Sequence, residues 1–339
     1  MSKRPLLALY GLAHFWVDLS CAFLVFRTLA GQPDPAMCLL FYNFCAFALQ
    51  MPLGLLADRL DRNGVVAAGG CLLVAAAYIL PTPLAMAVAA GTGNALFHLG
   101  GGIDTLNVSE KKATALGVFV SPGALGLFIG TAWGKGTFPK LWLGAAGLLI
   151  LAAVILLLCR KTFGSLRSGN VPLDPTPVGG YAPLLPLFLV VVLRSYMGMN
   201  QSFPWRGEGR WAVILTLALV LGKAAGGFLM DRLNPRKTSA LTLSAAAVFY
   251  LLGEVPLMGT AAVFLFNMTM PITLWAAAKV MPGSKGFAFG LLTFALFIGY
   301  LPVWLGIPSL LTESWACAAV SLLSLALLRR PLGKEAVVC

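Results

Sequence analysis

Gly54-Leu-Leu-Ala-Asp58-Arg59-Leu60 and Gly227-Phe-Leu-Met-Asp231-Arg232-Leu233 are two copies of one pattern, Gly-x-Leu-x-Asp-Arg-Leu, set 231 − 58 = 173 positions apart in a chain of 339 residues. Each copy closes an apolar run and opens into a basic turn, with Arg62 after the first and Arg236 and Lys237 after the second. A pattern that returns at the same place in each half of a chain marks an internal duplication, and what is duplicated here is the end of an apolar helix.

Composition names the solvent. The chain is 59% apolar and 11% charged, with a mean hydropathy of +0.88, whereas a soluble globule needs about a quarter of its residues charged. A lipid bilayer is the solvent that suits it. The net charge of +12 does not point to nucleic acid, because the Lys and Arg residues fall in short turns between apolar runs, where they fix membrane orientation. Seven cysteines, Cys21, Cys38, Cys45, Cys71, Cys159, Cys317 and Cys339, are scattered singly with no Cys-x-x-Cys spacing. They read as small apolar packing residues, with Cys339 unassigned.

A helix needs roughly 20 apolar residues to cross about 30 Å of hydrocarbon. On that ruler twelve spans are expected, near 6–30, 37–56, 64–80, 84–106, 113–133, 140–159, 183–203, 210–230, 238–253, 257–279, 286–304 and 308–328. Breaks such as Gln32-Pro-Asp-Pro35, Pro81-Thr-Pro83, Gly207-Glu-Gly-Arg210 and Pro282-Gly-Ser-Lys285 separate them. The Lys3-Arg4 start resembles a signal peptide, but the apolar run behind it is long and carries His14 and Asp18, so a retained first helix is expected. With the amino terminus in the cytoplasm, the inner side collects Lys3, Arg4, Arg59, Arg62, Lys111, Lys112, Arg160, Lys161, Arg167, Arg232, Arg236, Lys237, Lys279, Lys285, Arg329, Arg330 and Lys334. The outer side holds only Lys135, Lys140, Arg206 and Arg210. This asymmetry predicts both termini in the cytoplasm of a cell whose cytoplasmic membrane the chain crosses. The polar stretch 161–182, with Pro-Leu-Asp-Pro-Thr-Pro inside it, reads as a cytoplasmic linker between a bundle at 1–160 and a bundle at 183–339.

The duplicated turn resembles the motif between the second and third helices of major facilitator superfamily transporters, and the expected fold is therefore an all-α membrane protein of two pseudo-symmetric six-helix bundles. In that superfamily the turn clasps the two bundles on the cytoplasmic side. The resemblance thus implies a cytoplasmic gate at Gly54, Asp58, Arg59, Arg62, Gly227, Asp231 and Arg232. Each residue type has a physical reason: Gly admits a close neighbour, Asp suits the positive end of a helix dipole, and Arg can pair with a carboxylate. Asp104 is an expected partner for Arg59 or Arg62. The first copy continues as Leu60-Asp61-Arg62-Asn63 where a Gly-Arg step is common.

An ionisable side chain at mid-bilayer costs about 3 kcal/mol or more, so each is a functional candidate. His14 and Asp18 are four apart on helix one, and Asn94 and His98 repeat that spacing on helix four. The only two histidines of the chain reach similar depth, on the order of 10–12 Å from the inner edge. Helix seven adds Arg194, Tyr196 and Asn200, helix ten Asn267 and Trp275, and helix eight Lys223. Lys223 reads equally as a snorkelling residue or a substrate contact, and Arg27 as a snorkelling one. By the superfamily resemblance helices one, four, seven and ten line a central cavity.

Within that superfamily several segments are similar to the fosmidomycin-resistance type of efflux protein. They are Ala13-His14-Phe15 with Asp18, Gly93-Asn94-Ala95-Leu96-Phe97-His98, Leu193-Arg194-Ser195, and Met281-Pro282-Gly283 with Gly286 and Gly290. Ser121-Pro122-Gly123-Ala124-Leu125-Gly126 is a loose version of a helix-five kink associated with antiporters. Where that family continues His with Pro-Glu, this chain has Leu99-Gly100.

The expected function is secondary transport by alternating access, coupled to protons through Asp18, His14 and His98. Arg194, with Asn94, Tyr196, Asn200, Asn267, Trp275 and Lys223, is expected to bind a small drug-like or anionic metabolite. Proton-driven efflux is the direction the resemblance implies. Import of an organic anion, or a scaffold or sensor that no longer transports, are the alternatives. No enzymatic activity, metal, cofactor or nucleic-acid partner is expected, since two histidines are too few for a convincing metal site, and the chain is expected to act as a monomer.

Overall fold

The computed structural model describes residues 4–109, 112–136, 140, 142–162, 173–207 and 209–333. Lys3, Lys111, Arg167, Lys334, Cys339 and the middle of the expected linker, 163–172, lie outside the described residues. Among the described residues there is no strand. The helical segments run as α1 (Arg4–Leu29), α2 (Pro35–Leu60), α3 (Asn63–Ala77), α4 (Pro83–Val108), α5 (Thr114–Lys135) and α6 (Trp142–Thr162). They continue as α7 (Leu184–Asn200), α8 (Trp211–Leu233), α9 (Pro235–Leu251), α10 (Pro256–Val280), α11 (Lys285–Trp304) and α12 (Ser314–Leu328). Seven of these, α1, α2, α5, α6, α8, α10 and α11, are long and apolar enough to cross a membrane, and α3, α7 and α12 are shorter apolar helices.

Local chemistry sets the ends. Asp34, Thr82 and Asn234 each stand one residue before a proline and accept a hydrogen bond from the backbone N–H three residues on, which starts α2, α4 and α9. The expected twelfth span begins late, at Ser314, because Gly306 turns the chain at φ +67° and a 3-10 turn occupies Leu310–Thr312. Two helices close on a residue with positive φ: Asp61 (φ 44°, ψ 42°, left-handed) ends α2, and Asn234 (φ 77°, ψ 161°) ends α8. These are the only non-glycine residues with positive φ among those described, and 234 − 61 is again 173. Asp61 thus supplies the backbone geometry for which glycine is the usual residue. Asp and Asn are the side chains that tolerate it best.

The chain divides into two compact units. Unit 1 comprises Met1–Glu110, Pro122–Pro175 and Gly283–Phe294, and unit 2 comprises Lys111–Ser121, Thr176–Pro282 and Ala295–Cys339. In unit 1, α5 lies directly on α1: a side chain at Gly126 or Gly130 would strike the carbonyl oxygens of Phe15 and Leu19, so the backbones touch there. In unit 2, Gly222 and Gly226 of α8 meet the carbonyls of Phe264 and Met268 on α10 in the same way. Outward faces are apolar, with Ile150 65% and Leu221 57% exposed, as lipid-facing helices require. The six described cysteines are buried and free.

Candidate functional site

The first heptapeptide is the end of α2. Close approach comes first, because a side chain at Gly54 would collide with the carbonyl of Gly286 at the start of α11. Asp58, one turn on, then accepts the N–H groups of Gly286 (2.8 Å) and Phe287 (2.9 Å). These belong to the unsatisfied donors at the positive end of α11, which favours a carboxylate. The second copy repeats the design within unit 2. Gly227 packs on the carbonyl of Ala113, and Asp231 accepts from the N–H groups of Ala113 (2.6 Å) and Thr114 (3.1 Å) and from the Thr114 hydroxyl, at the start of α5.

The arginines of the two turns differ from expectation. Arg59, Arg62 and Arg232 are exposed and form no ion pair among the described residues. Asp104, the expected partner of Arg59 or Arg62, is 3% exposed. Its carboxylate instead accepts from the Tyr10 hydroxyl (2.6 Å) and the Asn63 amide (2.9 Å). Burial excludes the long cations, and two neutral donors satisfy the oxygens instead.

Four polar residues of unit 1 converge. On α1, His14 and Asp18 share a face, and on α4, Asn94 and His98 face them. His14 Nε2 lies 3.3 Å from Asp18 Oδ2, His98 Nε2 lies 3.7 Å from Asp18 Oδ1, and the two Nε2 atoms lie 2.9 Å apart. The Asn94 amide donates to Asp18 Oδ1 (3.0 Å), and His98 Nδ1 lies 2.8 Å from the Asn94 carbonyl. A carbonyl only accepts, so His98 Nδ1 carries a proton, and in the neutral ring Nε2 is the lone-pair nitrogen. The side chains are 6%, 14% and 21% exposed for His14, His98 and Asp18, which leaves the carboxylate as the member solvent reaches most. Gly123 of α5 completes the site, since a side chain there would run into both His14 Nε2 and Asp18 Oδ2.

Unit 2 holds a second buried ion. Arg194 is 9% exposed, and its guanidinium donates to the Thr273 hydroxyl at 3.3 Å. No carboxylate pairs with it among the described residues. The other expected binding residues are arranged less uniformly. Asn200 donates to the carbonyl of Tyr196, and Asn267 to that of Val263, so both amides are used on their own helices. Trp275 is 6% exposed with no hydrogen-bond partner for its Nε1. It lines a cavity of about 490 Å³ with Met230, Asp231, Arg232, Asn234 and Lys237, at the second heptapeptide. Lys223 is half-buried on α8.

Sequence reasoning did not find Tyr10, Asn63 or Thr273, met Gly123 only as part of the helix-five kink, and did not find the backbone donors at Ala113, Thr114, Gly286 and Phe287. A signal for the last four was present, because 113 + 173 = 286 and 114 + 173 = 287 carry the repeat onto the helix starts.

No protein-family model matches the sequence, and no curated protein matches it. Solved structures do match in fold. The E. coli fucose:proton symporter FucP superposes with a TM-score of 0.67 at 14% identity, covering 97% of this chain and 99% of its own. The human organic anion transporter MFSD10 gives 0.69 at 15%, covering 97% and 100%. A bacterial homologue of the iron transporter ferroportin gives 0.66 at 15%, covering 98% of each. The chain therefore has the fold of major facilitator superfamily transporters, a class of membrane transporters rather than of enzymes.

Proposed function

We propose that this protein is a proton-coupled secondary transporter, with twelve membrane-spanning helices, that exports a small anionic or drug-like molecule by alternating access. The observation that carries the reading is the convergence of His14, Asp18 and His98 in a nearly dry interior, a set that can take up and release one proton among three acceptors. Asp18, the best exposed of the three, is the proton's point of exchange with solvent. Arg194 holds the anionic group of the substrate. A buried guanidinium with no carboxylate beside it among the described residues carries a desolvation cost of several kcal/mol, which a bound anion offsets. The names of two fold neighbours, an organic anion transporter and a proton symporter, support this chemistry. The two heptapeptides act as the cytoplasmic gate, with Asp58 and Asp231 releasing the helix starts they hold when the inner side opens.

Export follows the similarity to the fosmidomycin-resistance type of protein. Import is favoured by the symporter neighbour. Purified protein in vesicles with imposed pH gradients separates the two: an antiporter accumulates a substrate anion in vesicles that are acid inside, a symporter in vesicles that are acid outside. Flux indifferent to both gradients contradicts proton coupling.

A further inference from the structure

The His14, Asp18 and His98 cluster has a geometry that exceeds what proton exchange needs. Neutral His98 offers one lone pair at Nε2, and His14 Nε2 lies within reach of both that nitrogen and Asp18 Oδ2. A cation at their centre serves all three. Ligand atoms held tetrahedrally at about 2.0–2.1 Å from a zinc-like ion stand about 3.3–3.4 Å from one another. The two Nε2 atoms lie 2.9 Å apart, and the Asp18 carboxylate stands near that edge from both, 3.3 Å from His14 through Oδ2 and 3.7 Å from His98 through Oδ1. All three ligand atoms lie within 4.8 Å of one another.

The surroundings are those of an oriented ligand set. The Asn94 carbonyl takes the Nδ1–H of His98 and so turns the Nε2 lone pair toward the centre. The Asn94 amide meanwhile fixes Asp18 through Oδ1. Such outer partners set the tautomer and direction of metal ligands. Gly123 brings the α5 backbone against His14 Nε2 and Asp18 Oδ2, where any side chain would strike both. Two imidazoles and one carboxylate suit Zn²⁺, Co²⁺ or Fe²⁺ and are poor ligands for Mg²⁺ or Ca²⁺, which demand oxygen.

We propose that His14, Asp18 and His98 form a three-ligand site for a divalent first-row transition-metal ion of the zinc class, with Asn94 as its positioning residue. This goes beyond the transport reading, which needs only a proton at the same atoms.

The test uses the full chain, tag-free and stripped of metal, titrated with Co²⁺. Wild type should bind one equivalent and develop the intense visible bands of four- or five-coordinate Co²⁺, which Zn²⁺ then removes and Mg²⁺ does not. His14→Gln, Asp18→Asn and His98→Gln should each weaken binding by more than about 100-fold, and Asn94→Ala by about 10-fold. Melting in metal-free buffer identifies any variant that fails to fold, and the Zn²⁺ competition in wild type stands without variants. Absence of the bands in wild type, displacement by Mg²⁺, or undiminished binding in folded His98→Gln protein overturns the proposal. Transport measured in metal-free buffer is a separate readout: if it follows the pH gradient while Co²⁺ does not bind, the metal site alone is refuted.

Discussion

Asp58 and Asp231 occupy one place in two copies of a single device: each accepts two consecutive backbone N–H groups at the start of a helix, residues 286 and 287 for Asp58 and residues 113 and 114 for Asp231. The offset of 173 that relates the two aspartates also relates their donors. The heptapeptide is therefore a helix-capping motif that works at a distance, with its glycine setting the approach and its aspartate making the bonds. Asp58→Ala and Asp231→Ala should each lower stability by about 1–2 kcal/mol, with Asn variants in between because one acceptor oxygen remains. Thermal melting of the purified variants checks this, and wild-type stability in both Ala variants would count against it.

Asp61 sits where the backbone is left-handed, and glycine has no steric cost there. Asp61→Gly should leave stability unchanged or raise it by up to about 1 kcal/mol, whereas Asp61→Val should lower it by at least that amount. Thermal melting of the two variants checks this, and equal effects of Gly and Val would contradict it.

Asp104 is held by Tyr10 and Asn63 and forms no ion pair with Arg59 or Arg62 among the described residues. Tyr10→Phe removes one of its two donors inside a site that water does not reach, and should cost about 1–3 kcal/mol. Arg59→Ala and Arg62→Ala, on exposed side chains, should change stability by less than about 0.5 kcal/mol. A melting series in which the arginine variants are as damaging as Tyr10→Phe would contradict the assignment.

Arg194 has a buried charge and one hydroxyl partner. Arg194→Ala should weaken an anionic substrate by about 10-fold or more while a neutral analogue loses little, measured as equilibrium binding to purified protein. Equal losses for both would exclude an anion contact. Arg194→Lys should recover part of the affinity, because the charge returns without the planar fork.

Much of this was legible before the structure. Apolar run length, basic turns and the repeated heptapeptide located the helices closely, because hydrocarbon thickness and helix rise are fixed quantities that sequence must match. The i, i+4 pairs His14–Asp18 and Asn94–His98 were also readable, since helical periodicity alone puts each pair on one face. That α1 and α4 share a cavity came from the superfamily resemblance. What was not readable is how closely α5 lies on α1, which Gly123 and Gly126 set by lacking side chains. The same limit explains Asp104. Its position at the end of a helix suggested a basic partner, but burial beside Tyr10 and Asn63 is a property of packing between α1, α3 and α4.

The central claim is that Asp18, held by His14, His98 and Asn94, carries the coupling proton. Its most direct test is Asp18→Asn protein in vesicles, comparing accumulation of an anionic substrate driven by a pH gradient with gradient-free exchange of the same substrate. The expected result is loss of uphill accumulation with exchange retained; accumulation equal to wild type under the same gradient would contradict it.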